Sequence, residues 1–290
     1  MNQKFGVEIE FTGITKSESI EVVDKHNSVT NMKFEIVHDS SIMSVLNYGG
    51  TLVYTDSDEL KNELVTPILS GSSDITKLLD IVKELKAKGA CVTATCGIHI
   101  HVSGDGHTPK SLKSLTNLML AREDMFVKAF KITNTRLDRY CNKLDENFVK
   151  DINEGKVRTL NDVRYVWYGD ERELNSEYDS SRYKMMNLHS FFSGKGIEFR
   201  LFNSTLNATL LESYINFCLA MNYYALRMKK SVNRRSSRDN ERYGMRNFLN
   251  RIALSGPQFK DTRKSILSNL PGDSSFKVPE NHNRRRLEIE

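Results

Sequence analysis

Gly6-Val7-Glu8-Ile9-Glu10-Phe11 places two carboxylates at i, i+2 inside a run of core-type residues. Alternate side chains of a strand point to one face, so Glu8 and Glu10 share one surface while Val7, Ile9 and Phe11 share the other. Two distant segments repeat the pattern. Cys96-Gly97-Ile98-His99-Ile100-His101-Val102 carries paired imidazoles, and Gly196-Ile197-Glu198-Phe199-Arg200-Leu201-Phe202 pairs a carboxylate with a guanidinium. If the three strands lie in one sheet, all six groups meet on one surface. Folding alone does not reward that arrangement, whereas divalent-metal and phosphate chemistry does.

Each pair also has a plainer reading. Glu8 and Glu10 could be the solvated face of an edge strand, but their apolar neighbours place the strand inside a sheet. There, two like charges without a partner cost several kcal/mol. Hard Mg2+ or Mn2+ is the natural partner for such oxygens. His99 and His101 fit metal or phosphate binding, or a pair of satisfied core histidines. Glu198 and Arg200 fit a structural ion pair, or an acid beside a phosphate-binding guanidinium. Arg182 adds a second guanidinium in Ser181-Arg182-Tyr183, and Asn187 and His189 are expected on one face of the strand that follows. Asn203 and Thr205 continue the Glu198 strand as hydrogen-bond donors to substrate. Glu63, in Glu63-Leu64-Val65-Thr66-Pro67, is either a surface acid or an ordered position held extended by the proline.

The 290 residues suffice for one large domain, with 39% hydrophobic and 27% charged residues, as in soluble globular chains. No apolar run reaches the roughly 18 residues of a membrane span, and the first residues lack a signal-peptide pattern. Four cysteines without a CxxC pair suggest a reduced, cytoplasmic setting, with a zinc site at Cys91 and Cys96 as a minor alternative. The net charge of +5 is concentrated late: residues 227–251 hold nine Lys or Arg against two acids. P-loop, Rossmann, GxSxG and HExxH motifs are all missing.

Strands are expected over 4–12, 33–38, 51–54, 63–67, within 90–103 and over 183–205, the last broken by a turn at 193–196. Turn signals fall at Asp39-Ser40-Ser41 and Asn47-Tyr48-Gly49-Gly50. Helical periodicity predicts helices over 74–88, 109–131 and 208–229, with 134–150 also helix-compatible. Trp167 and nearby tyrosines indicate a packed or substrate-facing region, and His107 is expected at the surface. Residues 1–254 are read as the catalytic domain, including the basic segment 227–251, and 255–290 as a polar, partly disordered tail.

In this order, ExE, Glu-Leu-Val-Thr-Pro, Gly-x-His-x-His, an Arg…Asn…His segment and Glu-Phe-Arg resemble the putative amidoligases, a branch of the glutamine synthetase and γ-glutamylcysteine ligase superfamily. Phe34 to Ser41 is similar to the strand and Asp-x-Ser turn of that family. The match spans about residues 4–207. It implies an α+β fold: an antiparallel β-sheet funnel of glutamine synthetase catalytic-domain type, with helices packed on the outside, ATP at one end and Mg2+ (or Mn2+) in the middle. Glu8, Glu10, Glu63, His99 and Glu198 would then be metal ligands. His101 and Asn187 would lie by the ATP, Arg182 and Arg200 would contact the transferred phosphoryl group, and Glu63 would also serve catalysis. The implied reaction is ATP-dependent amide formation through an acyl phosphate. Thr93-Ala94-Thr95-Cys96 stands where glutamine synthetases carry an Asn–Gly segment, so a peptide or protein carboxylate, or an unusual amine, is expected rather than free glutamate.

Two other classes compete. A nucleic-acid-binding reading uses Lys230, Arg234, Arg238, Arg242 and Arg246, which a helix would align as a ridge. A metal-dependent hydrolase would use the same acids and histidines without nucleotide. The ligase reading best accounts for the arginines beside the acids. No feature requires an oligomer.

Overall fold

The computed structural model describes residues 3–48, 51–155, 157–169, 179–229 and 240–275. Its centre is β1 (Lys4–Phe11), whose residues Phe5, Val7, Ile9 and Phe11 are all buried. This strand pairs antiparallel with β5 (Asn62–Val65) on one side and β7 (Gly97–Val102) on the other. Outward from β5 lies β2 (Glu35–His38), and outward from β7 lie β9 (Ile197–Asn203) and β8 (Met186–Asn187). A short β6 (Leu69–Ser70) also joins the start of β1. Every ladder in this sheet is antiparallel. A separate ribbon pairs β3 (Val45–Tyr48) with β4 (Thr51–Tyr54), and Gly49 and Gly50 of the expected turn lie outside the described residues.

The fold is mixed α and β, and the helices gather on the apolar side of the sheet. The longest, α9 (Ala208–Arg227), is buried along most of its length and packs on β7, α2 (Gly71–Ala87), α3 (Pro109–Leu120) and α11 (Lys260–Leu267). In α2 the period-3.6 set Ile75, Leu78, Val82 and Leu85 is buried. Phe202 of β9 stacks on Tyr214 of α9 at 4.2 Å, and Phe130 meets Phe202, Tyr214 and Phe217 edge-on. These contacts fix the outer strands to the helical layer.

Several expectations are corrected. The helix expected over 109–131 is broken at Arg122, whose φ of −142° leaves the helical region, and resumes as α4 (Glu123–Ala129). There the Arg122 guanidinium lies over Phe248, and the buried Glu123 carboxylate accepts from Leu144 N at 3.2 Å. Between Asn134 and Lys150 the chain forms two helices, α5 (Asn134–Arg139) and the start of α6 (Glu146–Glu154). Helix α1 (Lys16–Thr30) has a weak apolar stripe and escaped the periodicity, although its capping box was legible: Thr15 and Glu18 bond reciprocally. Strand character does not persist over 183–205, because α8 (His189–Phe192) intervenes. Packing also continues past residue 254. Helix α10 (Glu241–Arg251) contacts α11, and Ile266 and Leu270 are buried, so any free tail starts later than 255. Residues 276–290 lie outside the described residues.

Ile100, fully buried between the site strand and α9, sets the test of this layer. Ile100→Ala is expected to lower unfolding free energy by about 3 kcal/mol, read from the urea midpoint at unchanged slope. Val29→Ala, on an exposed face of α1, should stay within about 0.5 kcal/mol of wild type.

Candidate active site

Strand register assembles the polar face. Glu10 of β1 lies directly opposite Glu63 of β5, and Glu8 opposite His99 of β7. His101 then lies opposite Glu198 of β9, and Glu198 opposite Asn187 of β8. The five expected metal ligands and His101 therefore run in a diagonal band across four strands. Asp39, at the end of β2, completes it. Three triads have ligand atoms within 4.8 Å of one another: Glu8, Glu63 and His99; Glu8, His101 and Glu198; Glu10, Asp39 and Glu63.

His99 Nδ1 is 3.1 Å from Glu8 Oε2, while its Nε2 is 3.6 Å from Glu10 Oε1. Glu10 is anchored by Gly97 N, which donates to Oε2 at 2.6 Å. Glu198 accepts from Asn187 Nδ2 at 2.6 Å and from Arg200 Nη1. Arg200 Nη1 also lies 3.5 Å from His99 Nδ1. Two buried nitrogens in this band have no hydrogen-bond partner: Arg200 Nε, and His101 Nε2, which sits 3.2 Å from Glu8 Oε1 without hydrogen-bond alignment.

Five carboxylates in one half-buried surface cannot all ionise cheaply. Burial, and then the charges of Glu8, Glu10 and Asp39, push Glu63 up to about 9. Burial raises Glu10 as well, only partly offset by His99. Burial would raise Glu8 too, but the imidazoles of His101 and His99 hold it well below the usual carboxylate range. Glu198 is likewise lowered against its burial by Arg200 and the two histidines. One part of the site is thus ionised and paired, and the Glu10–Glu63 part is frustrated for want of positive charge. Oxygen-rich triads with at most one imidazole each fit hard divalent cations such as Mg2+ or Mn2+.

Not every expected residue reaches this band. The Arg182 guanidinium stands 5.7 Å from the Tyr183 ring, and Arg200 stands 5.8 Å from the same ring, so Arg182 flanks the band rather than joining it. Asn187 is committed to Glu198 and to the amide of His189. His189 opens α8 instead of sharing a strand face with Asn187, and its Nδ1 meets Tyr168 OH at 2.5 Å. Asn203 binds Lys131 O and Thr133, which makes it a loop anchor. His107 is buried between Asn222 and Ser111, not at the surface. Trp167 is packed edge-on against Phe148. Burial pushes the Cys96 thiol up to about 11, and neither Cys91 nor Cys96 belongs to a metal-competent cluster among the described residues. Of the basic ridge, Arg242 and Arg246 are tied to carbonyls of residues 268–274, and residues 230–239 lie outside the described residues.

Two residues were missed as site candidates. Asp39 was visible only as a turn signal, because its part in the site depends on β2 lying beside β5. Arg136 of α5 gave no signal at all, and its guanidinium fills the space that a Gly97 side chain would take.

Beyond His101 the site opens into a cleft of about 410 Å3. Lys4, Gly6, Glu8, Pro67, Ile68, His101, Gly104 and the Gly194-Lys195-Gly196 turn line it. Gly196 has a φ of +87°, and a Cβ there would lie 2.4 Å from Val102 O, so the turn closes tightly on β7.

Residues 1–222 match the family model described as putative amidoligase enzyme. A search of curated proteins finds no match. No helix among the described residues is long and apolar enough to cross a membrane.

The folded chain holds the Glu63 proton up to about 9, whereas the ordinary value is 4.5. Metal-free stability should therefore fall as pH rises through that window, because the unfolded state has already released the proton. Cation binding requires the carboxylate. At neutral pH, Mn2+ should thus raise Tm and release about one proton, read by calorimetry in buffers of different ionisation enthalpy. Glu63→Gln should remove both the proton release and the pH slope, and an unchanged slope would refute this assignment.

Proposed function

The chain belongs to the putative amidoligase family, and from that premise we propose that it is an ATP-dependent ligase joining a carboxylate to an amine. The observation that carries this reading is the convergence of Glu8, Glu10, Glu63, Glu198, His99 and His101 on one sheet face beside Arg200. An amide-forming ligase must bring an anionic acyl donor to an anionic triphosphate, which is where such a face is useful.

Glu8, Glu10, Glu63, His99, Glu198 and Asp39 would hold Mg2+ or Mn2+. The bound cations would neutralise phosphate oxygens during phosphoryl transfer. ATP would occupy the cleft, with His101 toward the phosphates. Lys4 and Lys195 stand at its rim for the outer phosphate oxygens, and Pro67 and Ile68 offer an apolar wall to the base. Arg200 and Arg182, sharing the Tyr183 ring, would stabilise charge on the transferred group. Asn187 acts as the orienter of Glu198 in this scheme.

In the first step a carboxylate oxygen of the acyl donor attacks the γ-phosphorus, and the bond to ADP breaks. In the second, the amine nitrogen attacks the acyl carbon and phosphate leaves. The amine sheds a proton, and Glu63, once ionised, is placed to accept it. Positioning supplies much of the rate in such a scheme.

Thr93 and Thr95, in the segment that differs from glutamine synthetases, are engaged with Met43 of the β3 approach. This favours a peptide or protein carboxylate over free glutamate. The glutamine synthetase-type funnel and a cytoplasmic setting both suit the reading, the latter with its four free cysteines.

Hydroxylamine tests the reading without knowledge of the natural amine. With ATP, Mg2+ and a panel of amino acids and peptides, wild type should form a hydroxamate together with ADP. Glu10→Ala should lower that rate by about 100-fold or more. Phosphate release with no carboxylate dependence and no hydroxamate would favour the hydrolase reading instead.

A further inference from the structure

Arg136 is the largest fully buried side chain among the described residues, with 1% of its surface exposed. It forms no ion pair among the described residues, and its Nε lacks a hydrogen-bond partner. Its Nη2 donates to the backbone carbonyl of Arg200 at 3.0 Å. Its charge offsets that of Glu10 only from beyond ion-pair distance, and a buried guanidinium so held off its carboxylate is costly. A neutral donor could satisfy one carbonyl more cheaply, so the charge calls for an explanation.

The carbonyl it holds belongs to an irregular point of the sheet. Pairing of β7 with β9 runs Gly97 to Asn203 and Ile98 to Phe202, then shifts to Ile100 opposite Phe199. Arg200 and Leu201 therefore both oppose His99, which is a β-bulge. The bulge lets Leu201 and Phe202 both turn into the core while Glu198 and Arg200 stay on the polar face. It also takes Arg200 out of the β7 ladder: its amide donates to Met185 O at 2.9 Å, in register with the pairing of β8, and its carbonyl goes to Arg136. Gly97 completes the arrangement by having no side chain. A Cβ there would fall 2.2 Å from Arg136 Nη1, in the space the guanidinium fills.

We propose that Arg136 is the positioning residue for Arg200: inserted in the space a Gly97 side chain would take, it holds the β9 bulge by the Arg200 carbonyl and so keeps the Arg200 guanidinium on Glu198 and His99. The inference rests on the reading that Arg200 acts on a transferred phosphoryl group. Arg136 itself touches no substrate. It acts through the backbone of the residue that does, and its charge offsets part of that of Glu10 at the edge of a site that receives an anion.

The test uses ADP with aluminium fluoride and Mg2+, an analogue of the transferring phosphoryl group, and separately Mn2+ alone. Arg136→Met should weaken the analogue by about tenfold or more, about as much as Arg200→Lys does. It should leave Mn2+ binding no weaker, because removing a cation cannot weaken a cation site by charge. Added to Arg200→Lys, it should change affinity by less than about twofold, since both act through one guanidinium. Arg136→Lys, whose ammonium still reaches toward the carbonyl, should recover part of the loss. If Arg136→Met does not fold, Gly97→Ala, which displaces the guanidinium but keeps its charge, should give the same loss. Wild-type affinity in these variants, or losses that add to that of Arg200→Lys, would overturn the inference. Failure of wild type to bind the analogue would instead overturn the ligase reading on which it rests.

Discussion

Mutual repulsion among carboxylates is the constraint on which the rest of this molecule turns. Glu8, Glu10, Glu63, Asp39 and Glu198 lie on one face of one sheet, close enough for their oxygens to form three overlapping triads. Only part of that charge is answered within the chain. His99, His101 and Arg200 hold Glu8 and Glu198 ionised, while Glu63 keeps its proton up to about 9. A surface so arranged stores unfavourable energy unless cations arrive, and the opposite face of the same strands must offset it. That face is apolar from Phe5 to Phe11, Ile98 to Val102 and Phe199 to Phe202, with α9 against it.

The two faces are not independent. A strand can offer alternate residues to core and site only while its register holds, since a slip of one residue exchanges the faces. In β9 the strict alternation is broken once, at Arg200 and Leu201, and the break is held by Arg136 from α5 and by Met185 just before β8. Beyond it, Phe202 stacks on Tyr214 and Asn203 anchors the loop at Lys131. The bulge thus lets one short strand serve the site, the core and a loop in succession.

Much of this was legible in the chain. The ExE, HxH and ExR spacings, each within β-branched or aromatic residues, identified three of the central strands and the face their polar residues share. Glu198 came with the same motifs and Glu63 with the Glu-Leu-Val-Thr-Pro segment, and the long periodic helices α2 and α9 appeared nearly at their observed bounds. Asp39 and Arg136 were not legible as site residues, because their places depend on which strands neighbour β5 and on what fills the space a Gly97 side chain would take. His189 and Asn203 were misplaced for one reason: alternation was extended through a helix and a bulge that no local pattern announced. Helix α1 was overlooked because its fold signal is a cap and not a stripe.

Anomalous scattering from crystals grown with Mn2+ and a non-hydrolysable ATP analogue tests the central claim most directly. Manganese peaks should fall among Glu8, Glu63 and His99 and among Glu10, Asp39 and Glu63, with the triphosphate reaching them from the Lys195 side. A polar band without manganese, and a nucleotide bound elsewhere or not at all, would contradict the account.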